Sequence, residues 1–257
     1  MFLRNERLLF IHIPKTAGES FERSIAGDRI EFGQEPDYEH LWGWCPDRRL
    51  WLQHATPREL VETQLVSDHD LTRALKVAVV RNPFDRAVSD YYQLHRRLGP
   101  RASFIDMLTA SGSWQTRLGD RRTPSYQGDH IRPQVQYLGH DVGQPMDHVG
   151  RFESLETTWQ RLEDHLGRPL PRSRHNLGAS PFEHYSHFYS DREVSAVARR
   201  YAEDLAALDY QFDDRRTIGS RMTRARLRGS LLARKARRSA VSRARVIADR
   251  VGGGTAP

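Results

Sequence analysis

The chain has one cysteine, Cys45, in 257 residues. That excludes an intramolecular disulfide framework and any cysteine-based zinc cluster, and it fits a reducing compartment. No apolar run approaches the ~18 residues needed to cross a bilayer. The segment ahead of the first apolar run, Met1-Phe2-Leu3-Arg4-Asn5-Glu6-Arg7, leaves no room for a signal peptide, so a soluble, cytoplasmic protein is expected. No repeat of solenoid length is present. Acidic residues are nearly missing from one stretch. Residues 215 to 250 hold thirteen Lys or Arg and a single acid, Asp249, which gives that stretch +12; with +7 on the whole chain, −5 remains elsewhere. The division expected is a mildly acidic body over 1–214 and an arginine-rich tail over 215–257. Nucleic acid is therefore not the expected partner, despite the basic total.

What is present is a strand pattern used twice. Leu8-Leu9-Phe10-Ile11-His12-Ile13 is a nearly continuous apolar run, as in a parallel strand covered on both faces. It leads into Pro14-Lys15-Thr16-Ala17-Gly18-Glu19-Ser20 and a short helical spacing. Ala74-Leu75-Lys76-Val77-Ala78-Val79-Val80 is a second such strand, and it leads into Arg81-Asn82-Pro83 with Pro83 at a good first helical position. Each unit joins a strand end, a cation, a hydroxyl and a helix start, which suits an anion. Two anion sites on neighbouring strand ends point to a nucleotide with phosphates at both ends, and to a sulfuryl donor rather than ATP. The architecture expected is α/β, with three layers, a central parallel sheet, and the site at the carboxyl ends of the strands.

Other signals place helices. Thr56-Pro57-Arg58-Glu59 and Ser190-Asp191-Arg192-Glu193 are capping boxes. The second opens a helix through Val194, Val197, Tyr201, Leu205 and Leu208. His148 to Glu153 reads as a strand, with Ser154 capping a helix that Gly167 ends. Residues 111–129 and 171–187 read as loops. Leu227 to Val251 are spaced for amphipathic helices.

Lys15 and Thr16 do not form a Walker A loop, because Gly18 follows the lysine and no glycine stands five residues before it. The order matches another pattern. Ile11 to Ser20 is similar to I-H-I-P-K-T-x-G-x-S, and Arg81 to Tyr91 to R-N-P-x-x-R-x-x-S-x-Y. These are the two phosphate motifs of the sulfotransferases that use 3′-phosphoadenosine 5′-phosphosulfate (PAPS). The closest resemblance is to the branch of heparan sulfate 2-O-sulfotransferase and its bacterial relatives. Arg132 to Leu138, Gly150 to Glu153 and Tyr201 to Tyr210 resemble later landmarks, so residues 7–213 are covered. Glu19 departs from the usual Thr or Ser, and a carboxylate there must turn outward from a phosphosulfate.

The resemblance implies a P-loop-kinase-like sulfotransferase fold and PAPS as donor, with no metal. It implies donor contacts from Lys15, Thr16, Ala17, Gly18, Glu19 and Ser20 at the 5′ end, and from Arg81 and Ser89 at the 3′-phosphate. Ala17 and Gly18 are small enough for backbone amides to approach a phosphate. Lys15 would stabilise charge on the leaving phosphate. A catalytic histidine between the motifs points to His54, at a strand-to-helix junction, titrating near ~6.5 if unperturbed. His40 and His69 are rivals by position, a glutamate base is the competing chemistry, and His12, inside the first strand, reads as packed. His175, His184 and His187 lack zinc-pair spacing and read as a substrate loop. The implied acceptor is a hydroxyl on a glycan or glycolipid. The tail could meet an anionic membrane surface, peripheral to its inner face. A nucleotide-dependent kinase, and a non-enzymatic anion- or nucleic-acid-binding protein, are the alternative functions.

Overall fold

The computed structural model describes residues 1–30, 33, 35–98, 102–172 and 182–219. In chain order, β1 (Phe2–Leu3) and β2 (Leu8–Ile11) lead to α1 (Gly18–Ala26). A small hairpin, β3 (Trp44–Cys45) and β4 (Leu50–Trp51), precedes α2 (Pro57–Glu62) and α3 (Asp68–Arg73). β5 (Leu75–Val80) runs into α4 (Pro83–Leu98), followed by α5 (Phe104–Leu108) and α6 (Gln115–Gly119). β6 (His148–Arg151) leads to α7 (Glu156–Leu166), and α8 (Asp191–Arg200) and α9 (Ala202–Ala207) follow.

The main sheet has the order β1-β2-β5-β6. β2, β5 and β6 are parallel, with Phe10 opposite Val77 and Val79 opposite Gly150, while β1 is antiparallel at the edge. The strand period of two sorts the side chains. Leu8, Phe10, Val77 and Val79 enter one core with Phe21 and Ile25 of α1 and Trp159 and Leu162 of α7. Leu9, Ile11, Ala78 and Val80 enter the opposite core with Leu60 of α2 and Leu71 of α3. Helices thus cover both faces, giving the three-layer α/β/α arrangement, and for that reason the two central strands are apolar throughout except for Lys76. A third cluster gathers α4, α5 and α8 around Phe104, Phe188 and Val197. Among the described residues, no helix is long and apolar enough to cross a membrane.

Several expectations need correction. Both capping boxes form, at Thr56/Glu59 and Ser190/Glu193. The residue capping α7, however, is Leu155, which offers no side-chain acceptor, and Ser154 instead bridges Arg151. Gly167 ends that helix at φ 65°, a left-handed value that glycine adopts without strain. The long helix expected beyond Ser190 breaks at Tyr201 into α8 and α9. Residues 111–129 are not plain loop, since they contain α6 and two short turns. Of the loop 171–187, residues 173–181 lie outside the described residues, as do the helices expected between Leu227 and Val251. Arg215 and Arg216, assigned by charge to the tail, are fastened to the body. Arg216 pairs with Asp214 at 2.7 Å and with Asp191 at 2.6 Å, and the Arg215 amide donates to Ser186 Oγ at 3.1 Å.

Trp159 stacks on Phe21 with ring centroids 3.9 Å apart, clamping α7 to α1 across one face of the sheet. Trp159→Ala is expected to cost ~3–5 kcal/mol through lost burial and the cavity left behind. Urea unfolding should show the midpoint lowered with the slope unchanged.

Candidate active site

The segment after β2 turns sharply. Lys15 and Ala17 both take left-handed backbone conformations, φ 70° and 74°, and Ala17 is the N-cap of α1. Such turns aim successive amides into a shared concavity, beside the unsatisfied N–H groups of a helix start. Thr16 is buried and its hydroxyl donates to the Ile13 carbonyl at 2.8 Å, so the hydroxyl ties the loop to itself. Ser20 is buried on the first turn of α1. Glu19 turns outward and accepts from Arg23 at 3.0 Å, one turn along the partly exposed face of the helix. Gly18 does not have a left-handed backbone. Instead a methyl group there would overlap the ring of His12, so its missing side chain makes room for a histidine and not only for an anion.

The turn after β5 lies alongside, because β2 and β5 are hydrogen-bonded neighbours. Arg81 donates to the Lys15 carbonyl at 3.0 Å, joining the two turns directly. Its guanidinium also lies 3.9 Å over the Phe152 ring and pairs with Asp85 at 2.8 Å. Lys15 Nζ donates to Gln93 Oε1. Asp85, Ser89 and Gln93 are spaced i, i+4, i+8 on α4, so one helix stripe receives both cations at its ends and presents Ser89, partly exposed, between them.

His54 closes the short turn Leu52–His54 between β4 and α2 and is 12 % exposed. Its Nδ1 is bound to Asp129 Oδ2, which leaves Nε2 as the nitrogen for other partners. Burial lowers its pKa to about 4, outweighing Asp129, which raises it, while His12 and His130 lower it further. Burial would raise Asp129, but the charge and hydrogen bond of His54 bring it down to about 2. The pair therefore stands as a neutral imidazole on an ionised carboxylate. This corrects the value near 6.5 expected for an unperturbed histidine. The rings of His12 and His130 meet His54 edge-on, with centroids 4.9 and 5.4 Å away. Of the positional rivals, His40 pairs with Asp37 at 2.8 Å and His69 is 73 % exposed beside Asp70.

Buried polar groups fix these pieces in place. Arg86, 1 % exposed, donates to the carbonyls of Pro14, His130 and Arg132 at 3.1, 2.7 and 2.9 Å. Gln134 exchanges two 2.9 Å hydrogen bonds with the backbone of Arg81, like an extra strand residue. Asp204 in turn accepts from the Gln134 and Val135 amides. Arg132 grips Glu59 of the α2 cap with both nitrogens, at 2.7 and 2.8 Å, just after His54 in the chain.

The sequence model of the sulfotransferase family matches residues 1–211. The chain belongs to that family. It is thus an enzyme that transfers a sulfuryl group. Neither a curated protein nor a solved structure matches it.

The candidate site contains groups that the two phosphate motifs do not mark. Gln93 could be found from its helical spacing to Ser89, but Asp129, His130 and Gln134 reach the site across 40 to 75 residues. Among the described residues, His54, Asp129 and His130 form one group with ligand atoms within 4.8 Å of each other. A cation there would compete with His54 for Asp129 and with Asp90 for His130, whose Nδ1 it holds at 2.7 Å. A cavity of about 460 Å³ opens beside Arg81 and includes Asn82, Tyr185 and Tyr210, but not Lys15 or His54. Its four carboxylates against two guanidiniums make it a poor phosphate seat.

Because the folded state disfavours protonated His54, the unfolded chain binds more protons between about 4 and ~6.5. This site's contribution to stability is full above ~6.5 and declines as pH falls toward about 4. Histidine NMR should show no titration of His54 between pH 5.5 and 8. A transition near 6.5 would place the ring in water.

Proposed function

We propose that this sulfotransferase takes its sulfuryl group from PAPS and delivers it to a hydroxyl on a glycan or glycolipid, releasing adenosine 3′,5′-bisphosphate. On this reading it lies in the heparan sulfate 2-O-sulfotransferase-like branch, among bacterial relatives. The observation that carries the reading is the direct link between two anion turns on adjacent parallel strands, Arg81 to the Lys15 carbonyl. A donor with a phosphosulfate at one end and a 3′-phosphate at the other uses both turns. ATP uses one, and the Walker A order is missing.

In the proposed step, an acceptor oxygen attacks sulfur while its proton passes to His54 Nε2. The bond from sulfur to the 5′-phosphate oxygen breaks, and its electron pair stays on that oxygen. Lys15, with the amides of the turn from Thr16 to Ser20, stabilises the charge that develops there. Arg81 and Ser89 hold the 3′-phosphate, with Asp85 keeping the guanidinium oriented until the nucleotide arrives. A neutral His54, its tautomer set by Asp129, is competent to accept a proton throughout the neutral range. The basic tail is assigned to an anionic membrane surface, where each basic residue contributes ~1 kcal/mol that salt removes.

Adenosine 3′,5′-bisphosphate should raise the melting temperature by mass action, ~2.7 kcal/mol at a hundredfold excess over Kd, and ATP with magnesium should do so weakly. Equal stabilisation by both nucleotides would count against the reading. Incubation with labelled PAPS and extracted glycans should transfer label. His54→Ala should slow that transfer ~10²–10⁴-fold with bisphosphate affinity kept, and Asp129→Asn should act in the same direction by favouring the wrong tautomer. Lys15→Ala should abolish turnover in a folded protein, and Arg81→Ala should chiefly weaken the nucleotide.

For the tail, deleting residues 220–257 should abolish flotation with anionic vesicles and leave bisphosphate binding intact. Unchanged flotation would rule out the membrane assignment.

A further inference from the structure

His12 stands just beyond β2, between two buried isoleucines, at the end of an otherwise apolar run. A buried imidazole is unfavourable unless it is bonded, and this one is. Its Nδ1 is 2.7 Å from Oε2 of Glu22, a carboxylate with no exposed surface on α1. Gly18 and Glu22 are one turn apart on α1 and hold the same ring. Glu22 fixes its nitrogen, and Gly18 gives up its side chain to admit the ring face. The same ring lies edge-to-face with that of His54, centroids 4.9 Å apart and planes at 89°. His130, pinned by Asp90, also packs against His54 with planes at 89°. Asp129 fixes one nitrogen of His54, and the two neighbouring rings restrict how that imidazole tilts about the bond.

We propose that His12 is a positioning residue for His54, holding its ring at the angle that presents Nε2 to the acceptor and tying that angle to the start of α1. The donor loop and the base then move as one unit, because Gly18 at the end of the loop and His54 press on the same ring. This inference rests on reading His54 as the base. It adds a function for the glycine of the loop and for Glu22, neither of which needs to touch the donor for it.

The test uses full-length protein with labelled histidines. Unmodified protein should show His54 as a single tautomer with its proton on Nδ1. His12→Ala should give a shifted or averaged His54 signal and slow transfer of label from PAPS to extracted glycans by ~10²-fold, with bisphosphate affinity changed less than ~3-fold. The double variant His12→Ala/His54→Ala should be no slower than His54→Ala alone, since His12 acts through His54. If His12→Ala leaves the His54 signal and the transfer rate unchanged, or if the two losses multiply, the proposal is overturned while the base reading stands. If His54→Ala transfers at the unmodified rate, the base reading itself fails and the proposal goes with it. Should His12→Ala not fold, His12→Asn gives the same readouts, because its amide takes the place of Nδ1 for Glu22 but leaves no ring for His54.

Discussion

A single buried guanidinium holds the parts of this site in register. Arg86 belongs to a motif associated with phosphate, yet it faces inward and donates to three carbonyls from two distant segments. One is Pro14, at the mouth of the first anion turn. The others belong to His130 and Arg132, in the stretch that carries Asp129. A buried cation is tolerable only where its charge is offset. Here Asp90 and Asp204 contribute to that. Both acids have a second duty, Asp90 on His130 and Asp204 on the amides of Gln134 and Val135. The turn after β2 and the stretch that carries Asp129 and His130 thus share one electrostatic anchor.

The cations of the two turns are held by the protein's own groups. Arg81 is braced by Asp85, Phe152 and the Lys15 carbonyl, and Lys15 rests on Gln93. On the proposed reading, long side chains held this way would lose less rotamer freedom on meeting a phosphate. That phosphate would have to share Arg81 with Asp85, and affinity would depend on how the pair opens as much as on raw charge.

The sequence made the frame legible because its signals are local. Leu8 to Ile11 and Leu75 to Val80 read as strands covered on both faces, and the capping boxes marked α2 and α8. β1, β3 and β4 went unread, because two residues carry no periodicity. The helix from Asp191 was overextended, because apolar spacing continues through Tyr201 while the backbone does not. Lys15, Arg81, Ser89 and His54 were candidates from motifs and order, and the fold brings Arg81 onto the Lys15 carbonyl, but the Asp129 that pairs with His54 stands 75 residues away. His12 was half legible. It is buried as expected, but its partner is a carboxylate and its neighbour is another imidazole. The low pKa of His54 follows from burial that only the assembled fold creates.

The grip of α1 on His12 also limits how this chain can vary. A side chain at position 18 collides with the ring while the ring remains, and losing the ring leaves the buried Glu22 carboxylate with the Met1 ammonium alone, 3.5 Å from its other oxygen. Neither change is harmless alone, and the two orders of substitution meet different obstacles, a clash or a buried charge short of a partner. Positions 12, 18 and 22 therefore form a set that can be exchanged together but resists one-at-a-time replacement. Sequence drift across sulfotransferases built this way should register at those three positions as linked changes or none.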